Sequence, residues 1–317
     1  ERDCRAIIVA GSGDQADTLW PAIKHLANLA YRTMLYKGIA KGNIRYFNAK
    51  TNQDVDGNGN LTDDIYPVPP SSAAPQQAIL NWAGSYVNQD KPLILYMVDH
   101  GITDEFCLAE QPPDMLTATQ LDIWLDQVQD ATNCKVIVIY EACHSGSFLD
   151  NLPPPSSQRR IVISSARPDQ QAYFGSESRV SFSQSFWTST LMGNHVRKSF
   201  LDAKADIGYS TNYRQDAMMD DNGDGTWNSH TDGALAQVTY IGDPFVTGAL
   251  LPDIIDKTRD LFLPAGGSHE FFARVQPGMA PVNRVRCVVV PPGAGAGSTT
   301  VPVTDLPAFE LSYNAST

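Results

Sequence analysis

Two uninterrupted apolar runs, Leu93-Ile94-Leu95-Tyr96-Met97-Val98 and Val136-Ile137-Val138-Ile139-Tyr140, constrain the fold of this chain more than any other feature. Neither alternates with polar residues, so each needs cover on both faces, the condition of strands inside a parallel sheet flanked by helices. Between them Leu121, Trp124, Leu125 and Val128 fall at i, i+3, i+4 and i+7, and Thr117 with Gln120 has the spacing of a capping box. Strand, helix, strand predicts a right-handed parallel crossover, which brings both carboxyl ends to one edge of the sheet.

Those ends carry chemistry. The first run closes on Asp99-His100-Gly101 and the second on Glu141-Ala142-Cys143-His144-Ser145-Gly146-Ser147. Ligand crevices of open α/β sheets lie beyond the carboxyl ends of the strands. A lone cysteine there is commonly a small buried hydrophobe, but a histidine delivered to the same edge makes Cys143 a candidate nucleophile. A helix beginning at Ser145 is expected to lower the thiol pKa through its dipole. His100 is then the proton donor to the leaving amine. The N–H groups of Gly101 and Cys143 are candidate oxyanion donors, Gly101 having no side chain to block an approaching carbonyl. His144 is the competing base, although neighbouring side chains on a tight turn diverge. His25, His195 and His269 read as packing or surface residues.

The order His-Gly followed by Glu-Ala-Cys-x-Ser-Gly-Ser, each closing a hydrophobic strand, resembles the legumain family of cysteine peptidases (peptidase C13). More distantly it is similar to the caspase, gingipain and clostripain group. Segments 6–12, 26–39, 160–174 and 181–187 resemble that family's first strand, first helix, post-nucleophile strand and specificity-pocket segment, so the likeness covers roughly residues 5–210. It implies a caspase-like three-layer α/β sandwich with a mainly parallel sheet. It also implies a cysteine endopeptidase acting through a Cys143–His100 dyad and a thioester acyl-enzyme. Because some relatives pass the acyl group to an amine, a transamidase or peptide ligase with the same dyad is the alternative; a non-catalytic calcium-dependent surface module is a third. Glu141 and Ser183 match positions lining the pocket for the residue before the scissile bond. The family's Arg-His pair after the first strand is missing, with Trp20, Pro21 and Ala22 near its place, so strict asparagine preference is not implied. Glu141, Asp14, Asp17 and Asp169 could instead favour a polar or basic side chain, and Glu141 equally suits a carboxylate that binds backbone amides.

Two further stretches suggest calcium. Asp54, Asp56 and Asn58 precede Gly59, with Asn60 and Asp64 beyond; Asp220, Asn222 and Asp224 precede Gly225, with Thr226 and Asp232 beyond. Alternating oxygen ligands before a turn glycine form the opening half of an EF-hand loop. The twelfth positions are Ile65 and Thr231, so a closing carboxylate must come from Asp63 or Asp64 and from Asp232. The same residue types also build ordinary turns. Ca2+ is expected and no organic cofactor.

Strands are expected near 5–10, 43–48, 92–99, 135–141 and 160–166, with a long helical run over 185–207. Beyond residue 250 helical periodicity gives way to Pro, Gly, Ser and Thr, so residues 1–250 are read as the catalytic domain and 251–317 as a β-rich, immunoglobulin-like module. In that module HEFFARV, VNRVRCVVV and AFELSYN are the strands and PPGAGAGSTTVP a loop. A net charge of −12 without a basic stripe argues against nucleic acid, and no apolar run is long enough to span a membrane. The low charged fraction of 18%, and an N terminus starting almost at the first strand as though a leader had been removed, suggest a secreted, periplasmic or cell-surface enzyme. It is expected to act as a monomer on peptide or protein substrates. Cys4, Cys107, Cys134 and Cys287 remain after Cys143, as three alternative pairings or as free thiols.

Overall fold

Both apolar runs lie at the centre of a six-stranded sheet. The structure, a computed structural model, describes residues 2–11, 17–110, 112–175, 178–209 and 215–244, and from the remainder 252–259, 261–278, 282, 285–289 and 308–313. Strand β1 (Arg5–Ala10) leads through α1 (Trp20–Tyr36) to β2 (Ile44–Phe47). Helix α2 (Ala73–Gln77), continued by a π-helical turn over Ala78–Ala83, leads to β3 (Leu93–Val98). Three short strands follow, β4 (Gly101–Ile102), β5 (Glu105–Glu110) and β6 (Pro113–Thr117), before α3 (Ala118–Thr132) and β7 (Val136–Glu141). Then come β8 (Arg160–Ser164), α4 (Phe182–Leu191), α5 (Val196–Tyr209), β9 (Met218–Asp220) and α6 (Ala234–Gln237).

The strand order is β2-β1-β3-β7-β8-β9. Every pairing is parallel except the last, where β9 runs antiparallel to β8. All residues of β3 and β7 are buried, as runs without polar alternation require. Successive side chains point to opposite faces. Ile8, Tyr96, Ile139 and Ile163 pack with Leu26, Tyr31, Trp187 and Phe200 of α1, α4 and α5. Ile7, Leu95, Val138 and Val162 pack with Ile79 of the π-helical turn and with Leu121, Trp124 and Leu125 of α3. The result is the mixed α/β three-layer arrangement of the caspase-like fold. Helix α3 starts at a complete capping box between Thr117 and Gln120 and stops at Asn133, which adopts the left-handed conformation at φ 57°.

The expected helical run over 185–207 is two helices. Gly193, at φ +85°, turns the chain between α4 and α5, a conformation a side chain would strain. Residues 101–117, between β3 and α3, form a small antiparallel sheet β4-β5-β6. Its buried Phe106, Leu108 and Leu116 join the core of the α3 face.

Beyond residue 250 the described residues form two antiparallel pairs. Strand β10 (Asp253–Lys257) pairs with β11 (Ala273–Gln276), and β12 (Arg286–Val288) with β13 (Ala308–Glu310). The expected loop at 291–302 lies outside the described residues. Phe262, Phe272 and Phe309 are exposed, unlike the helix-covered sheet. This contrast supports the proposal of a separate β-rich unit from about residue 251. Among the described residues no helix is long and apolar enough to cross a membrane.

The amino-terminal end of β8 is tied to α3 by one charge. The Arg160 side chain is fully buried and donates to Asp122 Oδ1 at 2.9 Å, Asp126 Oδ1 at 2.7 Å and Gln129 Oε1 at 2.8 Å. Removing it leaves partly buried aspartates without their cation, so Arg160→Ala is expected to cost about 3–5 kcal/mol. Urea unfolding checks this; a loss below about 1 kcal/mol would mean the aspartates rehydrate freely.

Candidate active site

The register of β3 on β7 sets the site. Val98 stands opposite Glu141, so two further residues on each chain place His100 and Cys143 at the same level beyond strands spaced about 4.8 Å apart. Further bonds hold the two strand-end loops against each other. The Asp104 N–H donates to Ser147 Oγ at 2.8 Å, and Asn151 Nδ2 donates to Asp104 Oδ1 at 2.9 Å. Gly101 lies at their contact. A Cβ there would stand 2.6 Å from Tyr140 Oη, 2.7 Å from the Cys143 carbonyl oxygen and 2.9 Å from the Ala142 Cβ. The glycine is therefore required by the contact between the loops, a reason distinct from access for a substrate carbonyl.

His100 is held from two directions. Its backbone N–H donates to Asp99 Oδ1 at 2.6 Å, and its ring Nε2 lies 3.3 Å from both carboxylate oxygens of Asp17. Asp17, just before α1, is itself fixed by the Leu19 N–H at 2.9 Å. Sequence considerations placed Asp17 among specificity carboxylates; the fold places it on the histidine. Asp14 lies outside the described residues, and Asp169 is exposed beside Arg167. His144 adopts the left-handed conformation at φ 57°, and its Nδ1 lies 2.7 Å from the Pro168 carbonyl oxygen. Its ring is thus engaged with the loop after β8. His25 contacts Gln184 through Nε2 at 2.9 Å.

Cys143 is 3% exposed, with Sγ 3.9 Å from the Ala172 carbonyl oxygen. The segment after it, Ser145–Asn151, is a 3₁₀ helix. The expected lowering of the thiol pKa is not found: burial pushes the Cys143 thiol up, so the resting side chain is protonated at neutral pH. No disulfide joins the five cysteines, all of which lie among the described residues; Cys287 is the most exposed of them.

Glu141 and Ser183 are both fully buried, beneath the loops. Glu141 accepts the Phe182 N–H at 3.1 Å through one oxygen and the Ser183 N–H at 3.0 Å through the other. These N–H groups open the first turn of α4, which Ser181 caps by accepting the Gln184 N–H at 3.2 Å. The carboxylate thus binds backbone amides and anchors α4 to the end of β7.

The two acidic loops fold alike. Asp54 accepts the N–H groups of Gly57 and Gly59, and Asp220 those of Gly223 and Gly225. Asp64 closes the first by accepting from Val55 and Asp56, and Asp232 the second by accepting from Asp221 and Ser229. Asn58 in the first loop and Asp224 at the equivalent place in the second each accept the N–H two residues on, from Asn60 and Thr226. Oxygens of Asp54, Asp56 and Asp64 lie within 4.8 Å of one another. Lys41 Nζ stands beside this group, 2.8 Å from Asp56, 2.8 Å from Asp63 and 2.6 Å from Asp64.

Residues 83–205 match the peptidase C13 family. The match supports a legumain-like C13 family for this segment. The matched segment runs from the π-helical turn into α5 and contains His100, Glu141, Cys143 and Ser183, and the match supports a cysteine peptidase in general terms. No curated protein matches the chain.

Glu141 gives the C13 segment a pH signature. Burial pushes its carboxyl up to about 7 from 4.5, against the opposing bonds from Ser183 and Phe182. Across that window the unfolded carboxyl is ionised while the folded one keeps its proton. The unfolded chain then binds fewer protons, and this group's contribution to stability falls as pH rises, levelling off above about 7. Glu141→Gln should abolish that decline, seen as urea midpoints that change less between about pH 5 and pH 8 than in the parent. Equal changes in both proteins would assign the slope to other groups.

Proposed function

We propose that the protein is a cysteine endopeptidase in which Cys143 is the nucleophile and His100 the general acid and base. The observation that carries this reading is the in-register placement of His100 and Cys143 at the ends of β3 and β7, with His144 turned onto the Pro168 carbonyl. Cys143 attacks the scissile carbonyl carbon and its proton passes to His100. The developing oxyanion is met by the N–H groups of Gly101 and Cys143. The tetrahedral adduct collapses to a thioester as the leaving amine takes the proton from His100, and water activated by the same imidazole releases the acid. Asp17 acts through His100, fixing the ring by its contacts to Nε2.

Cys143→Ala is expected to abolish cleavage of a peptide library while leaving the melting temperature close to that of the parent. His100→Ala should lower turnover by about 10²- to 10⁴-fold, and His144→Ala far less. The opposite ranking of the histidines would transfer the base to His144. Running the assay with and without hydroxylamine separates hydrolysis from acyl transfer, the transamidase reading being favoured if hydroxamate becomes the main product.

We also propose that calcium binds the acidic loops. Asp54, Asp56 and Asp64 supply convergent oxygens in the first, and the second repeats its hydrogen-bond pattern through Asp220, Asp224 and Asp232. Lys41 already neutralises part of the first cluster, so an ion there competes with its ammonium. Chelator is expected to lower the melting temperature relative to millimolar calcium, and Lys41→Gln to widen the gap. Coincident melting curves in both proteins would leave the loops as Asp/Asn/Gly turns.

A further inference from the structure

Two guanidinium groups and three aromatic rings stack at the β2 edge of the sheet. In order they are Tyr86, Arg5, Trp82, Arg45 and Tyr66. The Arg5 guanidinium lies 3.9 Å from the Tyr86 ring centre and 4.5 Å from that of Trp82; that of Arg45 lies 4.5 Å from Trp82 and 4.6 Å from Tyr66. Each cation is thus held between ring faces, a geometry that suits the planar, weakly hydrated guanidinium.

The two arginines differ in what their N–H groups reach. Arg5 donates to the Gly42 carbonyl at 3.0 Å and to Asn43. Arg45 has neither a hydrogen bond nor an ion pair among the described residues. This is unusual in a chain with 35 Asp and Glu against 23 Lys and Arg, where Lys41, Arg160 and Lys198 all have aspartate partners. Arg45 is partly buried and opens on a cleft of about 610 Å³. Its guanidinium lies over two rings, and its N–H groups are a fork of donors matched to a carboxylate.

The rest of the lining mixes Val68, Ala73 and Ala74 with three polar residues, Ser71, Gln77 and Asn81. Asn81 Nδ2 donates to Gln77 Oε1. That bond leaves the Gln77 amide N–H groups as donors and the Asn81 amide oxygen as an acceptor. A carboxylate could take the first, and a peptide N–H the second; inorganic phosphate has no peptide N–H to offer.

We propose that this cleft is a second binding site, which takes an acidic peptide segment by pairing an Asp or Glu carboxylate with Arg45 and a backbone N–H with Asn81. The site sits at β2, whereas His100 and Cys143 lie beyond β3 and β7, so an extended polypeptide could be held here independently of the residues that react. The proposal rests on the cleft alone and holds whichever reaction Cys143 performs.

Titrating the whole chain with acetyl-tetraglutamate amide, followed by calorimetry and by the fluorescence of Trp82, tests it. Saturable binding is expected. It should be weakened about tenfold or more in Arg45→Gln, less in Arg45→Lys, which keeps the charge without the fork, and unchanged in Cys143→Ala. Because loss of Arg45 could disturb the stack, Gln77→Leu gives an independent reading and is expected to weaken binding several-fold with an unaltered melting temperature. Absence of saturable binding, or equal affinity in a folded Arg45→Gln and in Gln77→Leu, overturns the proposal. Arg45-dependent binding of inorganic phosphate without binding of tetraglutamate overturns the peptide assignment.

Discussion

The parallel pairing of β3 with β7 is the constraint on which the rest of the molecule depends. Its register, from Leu93 opposite Val136 to Val98 opposite Glu141, decides that the loops after the two strands begin at the same height. A slip of one residue would send each apolar side chain to the opposite face. It would also separate His100 from Cys143 by about one residue's rise. The register is over-determined because both strands are buried on both faces, so the site inherits its precision from the core.

Charged and polar groups inside the fold then fix what hydrophobic packing leaves loose. Glu141, directly under the nucleophile loop, commits both oxygens to the first turn of α4, and Arg160 joins the start of β8 to α3. Both connect a helix to a neighbouring strand, and so limit how far the layers can slide. The bonds of Asp104 to Ser147 and Asn151 do the same for the two strand-end loops. A buried carboxylate that is raised in pKa and a buried thiol that is raised likewise share one cause, a dry interior at the carboxyl edge of the sheet. That dryness strengthens electrostatic interactions with developing charge once a substrate excludes the remaining water.

Continuous apolar runs and helical spacing, which are local signals, placed β3, β7 and the amphipathic helix α3, whereas β1 and β8 were read with the family resemblance beside them. The break between α4 and α5 was less visible: a single Gly193 inside an apolar, helix-compatible run carries little weight until its positive φ is known. The small sheet β4-β5-β6 has little local signal because its strands are short and alternate only briefly around Phe106 and Leu108. Cys143 and His100 were legible as residues that end strands. The partner of His100 was not, since Asp17 is 83 positions away in sequence and approaches only when α1 packs on the sheet.

The amino-acid sequence by itself determined the layer architecture, the helix start at Thr117 and the choice of His100 and Cys143 as the residues delivered to one sheet edge. These follow from patterns that span a few residues and from the handedness of the crossover. Tertiary structure decided that the His144 ring is engaged with the Pro168 carbonyl and the His100 ring with Asp17, because both depend on loops that meet only in the fold. It also decided that Glu141 binds amides, that Gly101 is a contact point, and that Arg45 lies over two rings. Each of these depends on atoms brought together from separate segments, and no local pattern encodes such a meeting.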